Sequence, residues 1–158
     1  MIQVGQPAPD FTLPDELGNA VTLRSELARG PVVVYFYPRD FTPVCTAQAC
    51  MFRDEHARLA GAGVNVLGIS GQGAASHAKF KAKHALPFRL LADEKGDVAR
   101  AFGCTALFGL IPRRATFFID RSGVVRDRAV ADLSVASHKA FVERVIAQGP
   151  GASSPVAG

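Results

Sequence analysis

Three cysteines, Cys45, Cys50 and Cys104, are the residues of this 158-residue chain whose type and placement point most directly to redox chemistry. Cys45 follows Thr42 and Pro43, a pair that reads as a helix N-cap with proline at the first helical position. Counted that way, Cys45 is the third residue of a helix, where free backbone N–H groups and the positive end of the macrodipole favour an anion. A thiolate held there is a nucleophile, but deprotonation alone achieves little. For a cysteine, lowering the pKa from about 8.5 to about 6 raises the thiolate fraction at pH 7 only about 30-fold. Attack on a peroxide also pushes charge onto the leaving oxygen as the O–O bond lengthens, so such a site needs donors aimed at both oxygens. Thr42 offers a hydroxyl, and a guanidinium from elsewhere in the chain would add fixed positive charge.

The elements around Cys45 suit that role. Residues 31–38 form a nearly continuous β-branched and aromatic run fenced by prolines, the pattern of a strand buried on both faces. Helix formers continue from Thr42 to Leu59, until Gly61 and Gly63 stop them, and residues 64–70 read as a second buried strand. Strand, helix and strand make a right-handed βαβ unit, so a parallel pair lies at the centre of the sheet. Further along, the pattern predicts a helix over 74–84, a short strand over 87–91, and a turn and helix over 93–102. Strands over 116–119 and 124–130 are joined by Asp120-Arg121-Ser122-Gly123, and a closing amphipathic helix covers 134–146. Alternating runs at 11–13 and 20–23 read as an N-terminal hairpin. A βαβ unit followed by a ββα unit on one central mixed sheet flanked by helices is an α/β, thioredoxin-like arrangement, here with that N-terminal hairpin and a central insertion. One domain over residues 1–148 and a flexible tail over 149–158 are expected.

Composition narrows the function classes. The chain is 48% hydrophobic and 20% charged, ordinary globular usage. Its longest apolar run is far short of the roughly 18 residues a membrane span requires. The net charge of +4 is scattered, with only Arg113 and Arg114 adjacent and no aromatic-interleaved basic stripe, so no nucleic-acid partner is expected. The first residues lack a charged segment followed by an apolar one, which makes a cytoplasmic protein the expectation. In such a compartment closely spaced cysteines are redox-active or metal-binding more often than structural. His56 lies near Cys50, but no standard zinc spacing is present, so neither a metal nor an organic cofactor is expected.

Pro38-Arg39-Asp40-Phe41-Thr42-Pro43-Val44-Cys45 resembles the peroxiredoxin motif Pro-x-x-x-Thr-x-x-Cys, and the continuation Cys45-Thr46-Ala47-Gln48-Ala49-Cys50 is similar to the PrxQ, or bacterioferritin comigratory protein, subfamily. Gly5-x-x-Ala8-Pro9-Asp10-Phe11, Phe52-Arg53-Asp54, Leu86-Pro87-Phe88, Leu91-x-Asp93 and Arg114-x-Thr116-Phe117 extend the resemblance over about residues 1–148. The resemblance implies a thiol-dependent peroxidase for hydrogen peroxide and organic hydroperoxides. Cys45 would be the nucleophile, Thr42 would bond the peroxide, Pro38 would shield the sulfenate and Arg114 would stabilise thiolate and transition state. The position of Gln48 is Glu in many relatives and Gln in others, and it is given no catalytic role.

A Cys45 sulfenic acid could condense with Cys50 to a disulfide. Five residues of ideal helix separate their Cα atoms by an estimated 8–9 Å, roughly, against a limit of about 7 Å for a disulfide. The first turns of the helix must therefore unwind, which agrees with the subfamily, where thioredoxin or a similar dithiol then reduces the bond. With the bond inside one chain, a monomer is expected. Cys104 reads as a bystander, His77, His84 and His138 as solvated helix residues, and Lys79, Lys81 and Lys83 as a charged helix face. Two other functions remain in view: a thioredoxin-like disulfide oxidoreductase, disfavoured because Thr42 stands where Cys-x-x-Cys needs its first cysteine, and a non-enzymatic redox sensor.

Overall fold

A computed structural model describes residues 1–107, 109, 111–130 and 135–148; the expected tail over 149–158 lies outside the described residues. Strands β1 (Thr12–Pro14) and β2 (Ala20–Thr22) form the N-terminal hairpin, followed by a short helix α1 (Leu23–Leu27). The chain then runs through β3 (Val32–Phe36), α2 (Pro43–Gly61), β4 (Asn65–Ser70), α3 (Ala74–His84), β5 (Arg89–Ala92) and α4 (Asp97–Ala101). A small hairpin, β6 (Thr105–Ala106) and β7 (Ile111–Pro112), precedes β8 (Ala115–Ile119), β9 (Val125–Val130) and α5 (Val135–Gln148). The five-stranded sheet has the order β5-β4-β3-β8-β9, with β3, β4 and β5 parallel and β8 and β9 antiparallel. This is the mixed, thioredoxin-like sheet expected. The two elements the pattern analysis did not anticipate, α1 and the β6–β7 hairpin, have too few residues to show a period.

All five residues of β3 are buried, because both of its faces are covered. Val33 and Tyr35 point into one core with Phe52 and Leu59 of α2, Phe80 of α3, and Phe141 and Val145 of α5. Val32, Val34 and Phe36 point into the other, against Leu23, Leu27, Val98 and Phe102. The period of two in the strand thus divides one apolar run between two cores. On the first side Tyr35 stacks on Phe52, with ring centroids 4.6 Å apart, and its ring lies over Gly68 of β4. A Cβ on Gly68 would sit 2.8 Å from both the Tyr35 ring and Leu90, so the neighbouring strands leave no room for a side chain.

The register decides what meets α2. Phe36, the last residue of β3, pairs with Ala115, the first of β8. Arg114 is consequently delivered beside the loop of residues 37–42 that carries the chain from β3 into α2. Among the described residues no helix is long and apolar enough to cross a membrane.

Candidate active site

Helix α2 begins as its sequence predicts, with extended Thr42 at the N-cap and Pro43 at the first position. The Thr42 hydroxyl does not cap the helix; it donates to the Arg39 carbonyl at 3.2 Å, leaving the first-turn N–H groups uncapped by that side chain. Cys45 is buried in this first turn. Its sulfur accepts a hydrogen bond of 3.2 Å from Nη2 of Arg114, which is itself 3% exposed, while Arg113 is half-buried and holds the Cys104 carbonyl by its backbone N–H. Of the two adjacent arginines, Arg114 is the inward one. Its Nη1 donates to Oε1 of Gln48, so the planar guanidinium is held at two points by groups three residues apart on one face of α2. Pro38 is half-buried in the loop between β3 and α2, and Cys50 is half-buried one and a half turns beyond Cys45.

That loop is tied down by a buried carboxylate. Asp40 accepts the Tyr37 hydroxyl at 2.6 Å, the Ser76 hydroxyl at 2.8 Å and Nδ1 of His77 at 2.7 Å, and its backbone N–H donates to the Gln72 side chain. Nε2 of His77 faces the Leu91 carbonyl at 3.1 Å. With acceptors at both ring nitrogens, the imidazole is placed to carry both protons and to pair with Asp40 as an ion pair. Burial pushes the Asp40 carboxyl up, but hydrogen bonds from His77, Tyr37 and Ser76, with the His77 charge, more than offset it and hold the group below its ordinary range. Burial likewise raises Tyr35 and Tyr37 well above the ordinary phenol value, reinforced for Tyr37 by Tyr35 and by Asp40, so both stay protonated and Tyr37 donates to Asp40. Phe41, the next residue, adopts φ 65, the left-handed region that aromatic side chains avoid, and is 46% exposed beside Phe80 and Lys83.

Several expectations need correction. His77 and His138 are fully buried, not solvated: His77 faces Asp40 and Leu91, and His138 faces Gln48 and Thr116. His84 is half-buried against the Phe80 ring. Gln48, set aside by sequence reading, is fully buried and touches Arg114. Its spacing of three from Cys45 was the available signal. Asp40 had no such signal, because apart from Tyr37 its partners Gln72, Ser76 and His77 come from a stretch more than thirty residues further along the chain. Lys81, on the charged face of α3, pairs with buried Glu16 of the N-terminal turn. Cys104 is buried on the opposite side of the sheet from Cys45, and burial pushes its thiol up to about 12. Among the described residues no three His, Cys, Asp or Glu side chains cluster as metal ligands would.

A thioredoxin-like sheet presenting a buried cysteine at a helix start, bonded to an arginine, is the framework of a thiol-chemistry protein. A profile of the AhpC/TSA family matches residues 4–128. The chain is 52% identical over 126 residues to "Peroxiredoxin Q, chloroplastic" of Oryza sativa subsp. japonica and 48% identical to that of Arabidopsis thaliana, in both cases over 79% of this chain. It spans 58% of the length of those curated relatives. Among solved structures, peroxidoxin BcpB of Mycobacterium tuberculosis superposes with a TM-score of 0.86 at 34% identity, covering 93% of this chain and 97% of that one. Peroxiredoxin Q of Xanthomonas campestris does so with a TM-score of 0.78 at 30% identity, over 87% of this chain and 89% of the other. The chain belongs to the AhpC/TSA family and, within it, to the peroxiredoxin Q, or bacterioferritin comigratory protein, subfamily.

Proposed function

We propose that this protein is a thiol-dependent peroxidase acting through Cys45, the reading carried by the Arg114 guanidinium 3.2 Å from a sulfur at a helix N-terminus. The thiolate attacks one oxygen of a hydroperoxide, the O–O bond breaks, and the second oxygen leaves as water or alcohol after taking a proton. Arg114 stabilises the thiolate and the charge that develops on the peroxide oxygens, the Thr42 hydroxyl bonds the peroxide, and Pro38 shields the sulfenic acid formed on Cys45. Cys50 then attacks that sulfenic acid, releasing water and forming a disulfide within one chain. A dithiol reductant of the thioredoxin type restores both thiols by exchange. Hydrogen peroxide and organic hydroperoxides are the proposed substrates; alkyl peroxide reduction is stated for the bacterioferritin comigratory protein of Xanthomonas campestris, which is similar to this chain at 29% identity and a TM-score of 0.78.

The disulfide requires the first turns of α2 to open, since the helix that holds both cysteines sets their Cα atoms roughly 8–9 Å apart. Because the pair lies in one chain, the proposed catalytic unit is a monomer built from the domain of residues 1–148. A reducing compartment suits its three free cysteines, and the cytoplasm is the proposed one.

The test is to reduce the protein, add one equivalent of hydrogen peroxide and map the cysteine peptides by mass spectrometry. A Cys45–Cys50 crosslink that thioredoxin removes with turnover supports the proposal. A Cys45–Cys104 crosslink moves the resolving role, sulfinic acid without a crosslink indicates a one-cysteine enzyme, and three unmodified thiols refute peroxidase function. Insulin reduction without peroxide turnover would favour the oxidoreductase, and a single round of oxidation without turnover the sensor.

A further inference from the structure

The buried His138 of α5 is not part of the motif around Cys45, yet it sits at the end of a chain of hydrogen bonds that begins at the reacting sulfur. Arg114 donates through Nη2 to Cys45 and through Nη1 to Oε1 of Gln48. The other end of the Gln48 amide, Nε2, lies 3.3 Å from Nδ1 of His138, and the Thr116 hydroxyl of β8 meets the same nitrogen. All of these side chains are 3% exposed or less.

The chemistry of the groups fixes the direction of each bond. A guanidinium has only donors, so the Gln48 atom facing it must be the carbonyl oxygen. The amide NH2 is then turned toward His138, and an NH2 group accepts nothing. Nδ1 of His138 must therefore be the lone-pair nitrogen, with the ring proton on Nε2. The Thr116 hydroxyl turns to suit either ring nitrogen state, so the Gln48 amide decides the tautomer. With Nδ1 protonated, two hydrogens would face each other, and the amide would have to rotate and present its NH2 to Arg114.

We propose that His138 is a positioning residue for the Cys45 site: its Nδ1 lone pair locks the Gln48 amide with the carbonyl toward Arg114, and so aims the guanidinium at the sulfur. Three elements cooperate, with α2 supplying Cys45 and Gln48, β8 following Arg114 and supplying Thr116, and α5 supplying the lock. The inference rests on Cys45 as the reacting thiol, but it concerns the orientation of its arginine rather than turnover.

Two measurements on the full-length reduced protein test it, and neither needs peroxide. In protein labelled with ¹⁵N-histidine, long-range ¹H–¹⁵N correlation at neutral pH is expected to show His138 neutral, protonated at Nε2 and bare at Nδ1. A proton on Nδ1 overturns the proposal. Second, the rate at which iodoacetamide alkylates Cys45 at pH 7, followed by mass spectrometry, reports how far Arg114 holds the thiolate. His138→Phe, which removes the acceptor, is expected to slow alkylation roughly three- to ten-fold as the charge-assisted bond to sulfur loses its alignment. His138→Asn places an oxygen close to where Nδ1 stood and is expected to return the rate to within about two-fold of the original. A rate unchanged or faster in His138→Phe, or equally slow in both variants, overturns the proposal. If His138→Phe fails to fold, the tautomer measurement decides alone. Because alkylation proceeds whether or not peroxide is reduced, failure here is distinct from failure of the peroxidase reading.

Discussion

Asp40→Asn is the substitution whose cost can be worked most directly from the site. Asp40 accepts three side-chain hydrogen bonds in a fully buried setting, and one of its partners, His77, is placed between that carboxylate and the Leu91 carbonyl so as to carry both ring protons. Neutralising the carboxylate strands the imidazolium. Breaking one side of a buried ion pair costs about 3–5 kcal/mol. For a chain of this size each kcal/mol moves the melting temperature by about 2–4 °C, so a fall of roughly 6–20 °C is expected at pH 7. Circular-dichroism melts of the reduced protein measure it. The pH dependence supplies a sharper check. Because the folded Asp40 carboxyl lies below its ordinary range, its contribution is complete above the unfolded value, near 3.9, and is lost as pH falls through the folded value. The gap between the wild-type and variant melting temperatures should therefore narrow as the pH falls below about 4 and the Asp40 carboxylate takes up a proton. In Asp40→Asn/His77→Asn the two costs should fall short of their sum, since the charge left stranded by the first change is removed by the second. A variant melting within 2 °C of wild type at pH 7, or a gap that stays open in acid, would show that the pair does not hold this loop.

Other substitutions probe separate parts of the molecule. Arg114→Met removes a charge-assisted bond of about 1.5–3 kcal/mol to the Cys45 sulfur, so the second-order rate of peroxide reduction should fall about ten- to a hundred-fold by stopped-flow. Cys50→Ser should still form the sulfenic acid, trapped by dimedone, but lose thioredoxin-dependent turnover. Cys104→Ser should turn over within about two-fold of wild type, because that thiol is buried away from the site and held protonated with its pKa up to about 12. Gly68→Ala drives a methyl into the Tyr35 ring and Leu90, and overpacking of about 1–3 kcal/mol should lower the melting temperature measurably.

What could be read from the residues follows the range of the forces involved. The buried strand around Tyr35, the helix that starts at Thr42-Pro43 and carries Cys45, and the inward choice of Arg114 all rest on local pattern, and the structure places them as expected, although the Thr42 hydroxyl turns to the Arg39 carbonyl instead of capping the helix. Helix bounds were good where glycines stop the chain, as after α2. The buried histidines lack a local pattern of this kind. A histidine on a helix between polar neighbours looks solvated, and what buries His77 and His138 is Asp40 in a distant loop, and Gln48 and Thr116 on two other elements. Such polar networks have no period along the chain. Their members satisfy one another only once the sheet order has brought them together.

In the proposed cycle both reactive thiols lie on α2, which would make the stability of one stretch of helix into a clock. Once Cys45 were oxidised in that cycle, two events would compete: opening of the first turns, which would let Cys50 reach it, and arrival of a second peroxide, which would carry the sulfur on to sulfinic acid. The winner is set by how often those turns open, a local equilibrium governed by Pro43, by the uncapped N–H groups and by the Phe41 backbone strain at the helix start. Tightening the helix start would make the protein more stable and shorter-lived under oxidant, whereas loosening it would spare the sulfur at the expense of the pocket that activates it.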